Sequence, residues 1–208
     1  MLKLENITYQ PQTGSKIILD DLNLTVNKNE IILICGESGS GKTSLLEILG
    51  GLLQPQIGKI YWKNSLTSSR ELRWLSGIVF QFPERFFIGT TIGRELKIGH
   101  KVLRENKITS ILNKVGLSEV SLTMAPEKLS GGQQRRLAVA VQLLRKPEIL
   151  LLEEPTAGLD WSMRSDVISL IKELKSTKTL IVVTHEPSLF CELPTKIFKL
   201  KKGKLIKF

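Results

Sequence analysis

Residues 31–53 read IILIC, then GESGSGKT, then SLLEILGGLL. The apolar run has no polar alternation, so it suits a strand buried on both faces of a sheet rather than one face. The stretch after the glycines carries leucines and isoleucine at helical spacing. A strand that enters a tight loop and leaves as a helix, with both sheet faces covered, restricts the chain to layered α/β architectures. Similar runs recur at Gly77–Phe80, Ile149–Leu152 and Leu180–Thr184. Helical patterns follow two of the four runs, over Lys42–Leu53 and Ser162–Leu174. A mostly parallel sheet with helices on its faces is therefore expected.

The ends and the middle of the chain read differently. Leu2–Tyr9, Ile17–Val26 and Lys59–Trp62 suggest an N-terminal antiparallel β flank. From Pro83 to about Leu144 the pattern turns helical, through TIGRELKIG, RENKITSILNKVG and GQQRRLAVAVQLLRK. The expected organisation is a single domain, residues 1–208, in which 1–82 and 145–208 form the α/β core and flank and 83–144 a helical subdomain. No apolar run approaches the roughly 18 residues of a membrane helix. The N-terminus, MLKLENITY, lacks a signal-peptide core, so a cytoplasmic protein is expected. Cys35 and Cys191 lie in no CxxC or His-rich cluster and read as plain thiols, with no zinc site. The chain ends just past a final lysine-rich stretch, so no added regulatory domain is expected.

The net charge of +10 is compatible with nucleic acid, an anionic membrane surface or polyphosphate ligands. Its densest cluster is Lys196, Lys199, Lys201, Lys202, Lys204 and Lys207. These alternate with Ile197, Phe198, Leu200, Leu205 and Ile206 around Lys202-Gly203, the pattern of a surface hairpin with a solvated face.

GESGSGKT fits the phosphate-loop pattern GxxxxGK[ST] in full, over Gly36, Glu37, Ser38, Gly39, Ser40, Gly41, Lys42 and Thr43, with Ser44 next. Glycines let the backbone curl so that its N–H groups converge on phosphate oxygens. The following helix aims its positive end at the same charge. Lys42 is placed to reach the β- and γ-phosphates, and the Thr43 hydroxyl to ligate magnesium. A nucleotide is the expected ligand.

A second motif, LSGGQ (Leu129, Ser130, Gly131, Gly132, Gln133), resembles the signature of ATP-binding-cassette (ABC) ATPases. Read alone, Ser130 is also a good helix N-cap. Gln81 in VFQFPE resembles the family's glutamine loop, ILLLEEP its Walker B strand, AGLD its D-loop, and His185 in VVTHE its switch histidine. The resemblance covers essentially the whole chain. It implies an α/β P-loop NTPase core with a mostly parallel sheet, an N-terminal antiparallel β flank and an inserted α-helical subdomain. It further implies two cassettes, identical or paralogous, stacked head to tail. ATP and Mg2+ would lie between the phosphate loop of one and the signature of the other.

In that scheme Glu154 polarises the attacking water, His185 senses the γ-phosphate, and Gln81, Thr43 and Glu153 serve the metal. Glu153 stands where the family usually has aspartate, one methylene longer. Asp160 either crosses to the partner cassette or caps the helix that follows it. The adenine platform is Tyr9 on one alignment of LENITY; another places Pro11 there.

The segment FPERFFIGTTIGREL resembles the same region of energy-coupling-factor and cobalt-type importer ATPases. Phe82, Phe86, Phe87 and Ile88 would then anchor a coupling helix of a membrane subunit near Gln81–Ile88, or else simply pack the subdomain on the core. The resemblance implies a cassette peripheral on the inner face of the membrane, energising import of a metal ion or small vitamin, with no nucleic acid expected. An exporter cassette, or a non-transport ATPase of ribosomes or DNA, are the other readings. The transported substrate would be recognised by other polypeptides.

Overall fold

The computed structural model describes residues 1–12, 14, 16–190 and 192–207, so Cys191 lies outside the described residues. The chain forms two compact units, one of residues 1–78, 147–154 and 174–208, the other of 79–146 and 155–173.

In the first unit, β1 (Leu2–Tyr9), β2 (Leu19–Val26), β4 (Ile57–Trp62) and β5 (Ser65–Leu66) form an antiparallel sheet in the order β2-β1-β4-β5. Leu4 stands opposite Leu24 on one side and Ile60 on the other. The alternation of β1 slips at Asn6, whose φ of 54° is left-handed. The register shift there turns Ile7, rather than Asn6, to the core.

The second sheet runs β10-β9-β3-β8-β7-β6, from β3 (Ile31–Cys35), β6 (Ser76–Val79), β7 (Ile149–Glu153), β8 (Thr179–Thr184), β9 (Lys196–Lys201) and β10 (Lys204–Lys207). β3, β7, β8 and β9 pair in parallel, and β10 pairs antiparallel with β9. All five residues of β3 are buried, as a two-sided strand requires. Ile32 and Ile34 join a core with Leu4, Leu22, Leu45, Leu49, Leu72, Leu151 and Val183, so the parallel sheet, α1 (Lys42–Leu49), α2 (Ser69–Leu75) and the flank share one interior.

Two elements depart from their sequence patterns. The helix expected over Lys42–Leu53 ends at Leu49, because Gly50 follows and Gly51 turns left-handed at φ 70°. The lysine-rich tail is a hairpin, but not a free-standing surface one: β9 extends the core sheet beside β3. Leu200 is buried, Lys196 pairs with Glu30 at 3.0 Å, and Lys204 with Asp20 at 3.4 Å. The lysines of β10 then lie on an edge strand, where charge discourages pairing with another chain.

The second unit is helical: α3 (Ile92–Lys97), α4 (Glu105–Lys114), α5 (Gly131–Leu144) and most of α6 (Trp161–Leu174), with short 3-10 turns at Pro83–Phe86 and Pro126–Lys128. Both α3 and α4 pack on α5. The buried Glu95 carboxylate accepts the Ile88 and Gly89 N–H groups at 2.9 and 2.6 Å, which fixes the loop ahead of α3. Among the described residues no helix is long and apolar enough to cross a membrane.

Candidate functional site

The loop between β3 and α1 is held open by its glycines. Gly36 lies so close to β9 that an added Cβ would sit 2.6 Å from the Leu200 carbonyl oxygen. Gly41 precedes α1 with φ 103°, a conformation L side chains rarely adopt. No side chain caps α1, so its first N–H groups are left for a ligand. The Lys42 ammonium folds back over the loop, donating to the carbonyl oxygens of Gly36 at 2.8 Å and Glu37 at 2.9 Å. Lys42 is only 8% exposed and makes no ion pair among the described residues. A buried ammonium satisfied by carbonyls alone suits an incoming anion. Glu37, Ser38 and Gly39 are exposed, Ser40 and Ser44 half-buried, and the Ser40 hydroxyl is buried without a partner.

One strand over, β7 ends on the two carboxylates. Glu153 is half-buried and accepts a hydrogen bond from the Thr43 hydroxyl. Glu47, one turn along α1 from Thr43, has its carboxyl pushed above the usual range, by burial first and by the Glu153 charge second. A hydroxyl and a carboxylate converging in a field that already repels a second carboxylate form a hard-oxygen set suited to a small divalent cation. No group of three or more His, Cys, Asp or Glu among the described residues is placed to hold a metal alone. Magnesium, the ion the family implies, would therefore take further oxygens from phosphate.

Glu154 sits just past the strand in a left-handed conformation, φ 42°, which costs about 1–3 kcal/mol in a non-glycine residue. Its surroundings over-determine that conformation. The Glu154 N–H donates to the Val183 carbonyl at 2.9 Å. Its Oε2 accepts from the Thr184 hydroxyl at 2.9 Å and the His185 N–H at 3.2 Å. Its Oε1 lies 2.9 Å from His185 Nδ1. Glu154 is buried while the His185 side chain is 53% exposed, so the pair runs from interior to surface. Parallel pairing of β7 with β8, Glu153 opposite Val183, brings these residues together.

Tyr9 and Pro11 separate clearly. Tyr9 packs against the hydrophobic core of the flank. Pro11, with Ile17, Ile18, Ser38 and Lys199, lines a cavity of about 760 Å³ beside the loop, to which Tyr9 does not contribute.

The remaining candidates belong to the second unit. Gln81 is half-buried, and its backbone carbonyl accepts from Arg135 at 3.0 Å. Ser130 is the N-cap of α5 in a capping box: its hydroxyl accepts the Gln133 N–H at 3.3 Å, and the Gln133 side chain accepts the Ser130 N–H at 2.9 Å. Leu129 is buried. Gly131 and Gly132 pack against Leu159 and Met163, and a Cβ on Gly132 would stand 3.0 Å from Met163. Asp160 caps α6, its carboxylate accepting the Met163 N–H at 2.9 Å. Among the apolar residues after Gln81, Phe82, Phe86 and Ile88 are exposed and Phe87 half-buried.

Sequence reasoning passed over Thr184, Glu47 and Arg135. A hydroxyl directly before His185 was a readable signal for the first. The other two depend on which chain segments meet.

The family model for the ABC transporter matches residues 19–157. ABC transporter I family member 11, chloroplastic, of Arabidopsis thaliana is 36% identical over 97% of this chain and 78% of its own length. The energy-coupling factor transporter ATP-binding protein EcfA2 of Clostridium tetani is 35% identical over 99% of this chain and 77% of its own. Among solved structures, cbiO1 of Clostridium perfringens, part of the ABC transporter complex cbiONQ, superposes with a TM-score of 0.88. It is 28% identical, over 99% of this chain and 86% of that one. With the phosphate loop, the carboxylate pair and the capped LSGGQ helix in one chain, the protein belongs to the ABC transporter family as an ATP-binding, ATP-hydrolysing cassette.

Proposed function

We propose that this cassette energises import of a small solute, of the metal-ion or vitamin class, from the inner face of the membrane through membrane partner subunits. The observation that carries the hydrolytic part is Glu154, buried, conformationally strained and aimed at His185. The loop N–H groups and Lys42 would hold the phosphates, while Thr43 and Glu153, with Gln81 as the family resemblance implies, would hold magnesium. Magnesium, when bound, neutralises charge on the β- and γ-phosphates. Glu154 Oε1 takes a proton from the attacking water as its oxygen bonds to the γ-phosphorus. The bond to the β–γ bridging oxygen breaks, giving ADP and inorganic phosphate, to which the proton passes. His185, held at Nδ1 by Glu154, turns its other ring nitrogen toward the γ-phosphate.

Ser130 and the Gly131 and Gly132 backbone meet the nucleotide of a second cassette, identical or paralogous, at the N-terminus of α5. Asp160 lies on the same surface, since Gly132 packs against Met163 of α6. Pro11, which lines the cavity beside the loop, is set to face the base, while Tyr9 is half-buried against the core.

The unusual Glu153 gives one test. Its side chain already reaches Thr43, so shortening it moves the carboxylate away from the hydroxyl. Glu153→Asp is expected to keep or raise ATP turnover at limiting magnesium, as a shorter arm leaves more room for a metal-bound water. Collapse of turnover in a magnesium titration would show that the extra methylene is required.

The importer part rests on the resemblance to energy-coupling-factor and cobalt-type cassettes and on the exposed apolar residues after Gln81. Phe86 is 57% and Ile88 77% exposed, and Phe82 carries Arg85 over its ring at 4.7 Å. Such residues suit a coupling helix. Replacing Phe86 and Phe87 by serine should abolish assembly with the membrane subunit in co-purification while leaving ATP binding intact. Loss of solubility instead would assign these aromatics to internal packing.

A further inference from the structure

α5 buries a guanidinium. Arg135 is 7% exposed, its Nη1 donating to the Pro155 carbonyl at 2.8 Å and its Nη2 to the carbonyls of Ala157 at 2.6 Å and Gln81 at 3.0 Å. The acceptors come from two segments far apart in the chain. One contains Gln81; the other is the turn that begins directly after Glu154 and leads to Asp160. The donor stands one turn inside the helix that Ser130 caps. Arg135, its three acceptors, Ser130 and Asp160 all lie in the same compact unit.

A buried charge is tolerated only when its donors are matched, and the planar fork of arginine reaches several acceptors in fixed directions. The three carbonyls in turn lose partners if the fork goes, and unpaired buried carbonyls are costly. Loop carbonyls from separate segments have no ladder to bond to, so the fork supplies the connection that secondary structure does not.

We infer that Arg135 is a positioning residue that clamps the Gln81 segment, the turn after Glu154 and the signature helix into one body. Resting on the proposed hydrolytic reading, the clamp sets where Gln81 stands when Asp160 and Ser130 are engaged by the second cassette. It acts on turnover, not on the first capture of ATP. Displacing the apolar segment after Gln81, where a membrane subunit would dock, moves the signature helix with it through this fork.

The test uses the full chain and two substitutions. Arg135→Lys keeps the charge but offers a single ammonium, and Arg135→Gln keeps a donor but removes the charge. Both are compared with wild type for melting temperature, equilibrium binding of a fluorescent ATP analogue and steady-state hydrolysis, normalised to folded protein. The expected result is a fall in kcat of at least tenfold in both, with KM and analogue affinity within about twofold. Gln81→Ala is then combined with Arg135→Lys. If the clamp acts through Gln81, the double variant is nearly as active as the worse single one. Undiminished kcat in Arg135→Lys overturns the inference. So does a kcat loss that vanishes on normalisation to folded protein, or losses that multiply in the double variant. Wild-type hydrolysis and its absence in Glu154→Gln are measured alongside, so failure of the hydrolytic reading shows separately.

Discussion

Glu154→Gln is expected to bind ATP with near-native affinity and to lose hydrolysis by about a hundredfold or more, the range attributed to a positioned general base. Glutamine matches the shape that the site holds at φ 42°. Its amide oxygen can take the place of Oε2, still accepting from the Thr184 hydroxyl and the His185 N–H. Its amide nitrogen then faces His185 Nδ1, where Oε1 stood 2.9 Å away, and the imidazole answers by presenting a lone pair there. The fold and the phosphate contacts proposed for Lys42 should survive; only the proposed proton acceptor is gone. ATP bound without turnover should hold two cassettes together, so size-exclusion chromatography should show an ATP-dependent dimer for this variant. Residual turnover near the wild-type rate in a single-turnover assay would place the base elsewhere.

The second large effect belongs to Gly36→Ala. A methyl there meets the Leu200 carbonyl at 2.6 Å and the Ser40 hydroxyl at 2.7 Å. The hydroxyl can rotate away, but the carbonyl belongs to β9, paired in parallel with β3 at Ile34–Phe198 and Cys35–Lys199. The loop must therefore move, and Lys42, anchored on the Gly36 and Glu37 carbonyls, moves with it. ATP affinity should fall at least tenfold, with a stability loss of about 1–3 kcal/mol, the usual range for overpacking. Nucleotide titration and thermal melting measure the two separately. Native ATP affinity in this variant would mean that the loop is more pliant than its packing against β9 allows.

How much was legible in the sequence follows the range of the interactions. Two-sided strands such as IILIC and TLIVVT, the phosphate loop and the signature are local patterns, and the fold class followed from them. The β9–β10 hairpin was visible as a hairpin, but its place beside β3 was not, because parallel pairing between residues 164 positions apart, such as Ile32 and Lys196, leaves no local mark. α1 was drawn too long because Leu52 and Leu53 continue an apolar pattern that Gly50 and Gly51 physically end. Tyr9 presented an aromatic ring at the end of β1; only packing shows that it lies half-buried against the core and that Pro11 lines the cavity. The adjacency of Glu153 and Glu154 was readable as two carboxylates with two directions. The left-handed backbone that sends Glu154 to Thr184 and His185 instead of Thr43 was not. Arg135 looked like one of two adjacent basic residues in GQQRRLAV, and its burial against three carbonyls depends wholly on tertiary structure.

The proposed cassette works from the inner face of a membrane by driving partner subunits. Gentle purification of the tagged full chain from solubilised native membranes, with its companions identified by mass spectrometry, tests it most directly. A multi-helix membrane subunit should be recovered together with a second cassette, either another copy or a paralogue. Recovery of ribosomes or DNA-bound proteins with no membrane subunit would contradict it, leaving an ATPase whose work lies elsewhere.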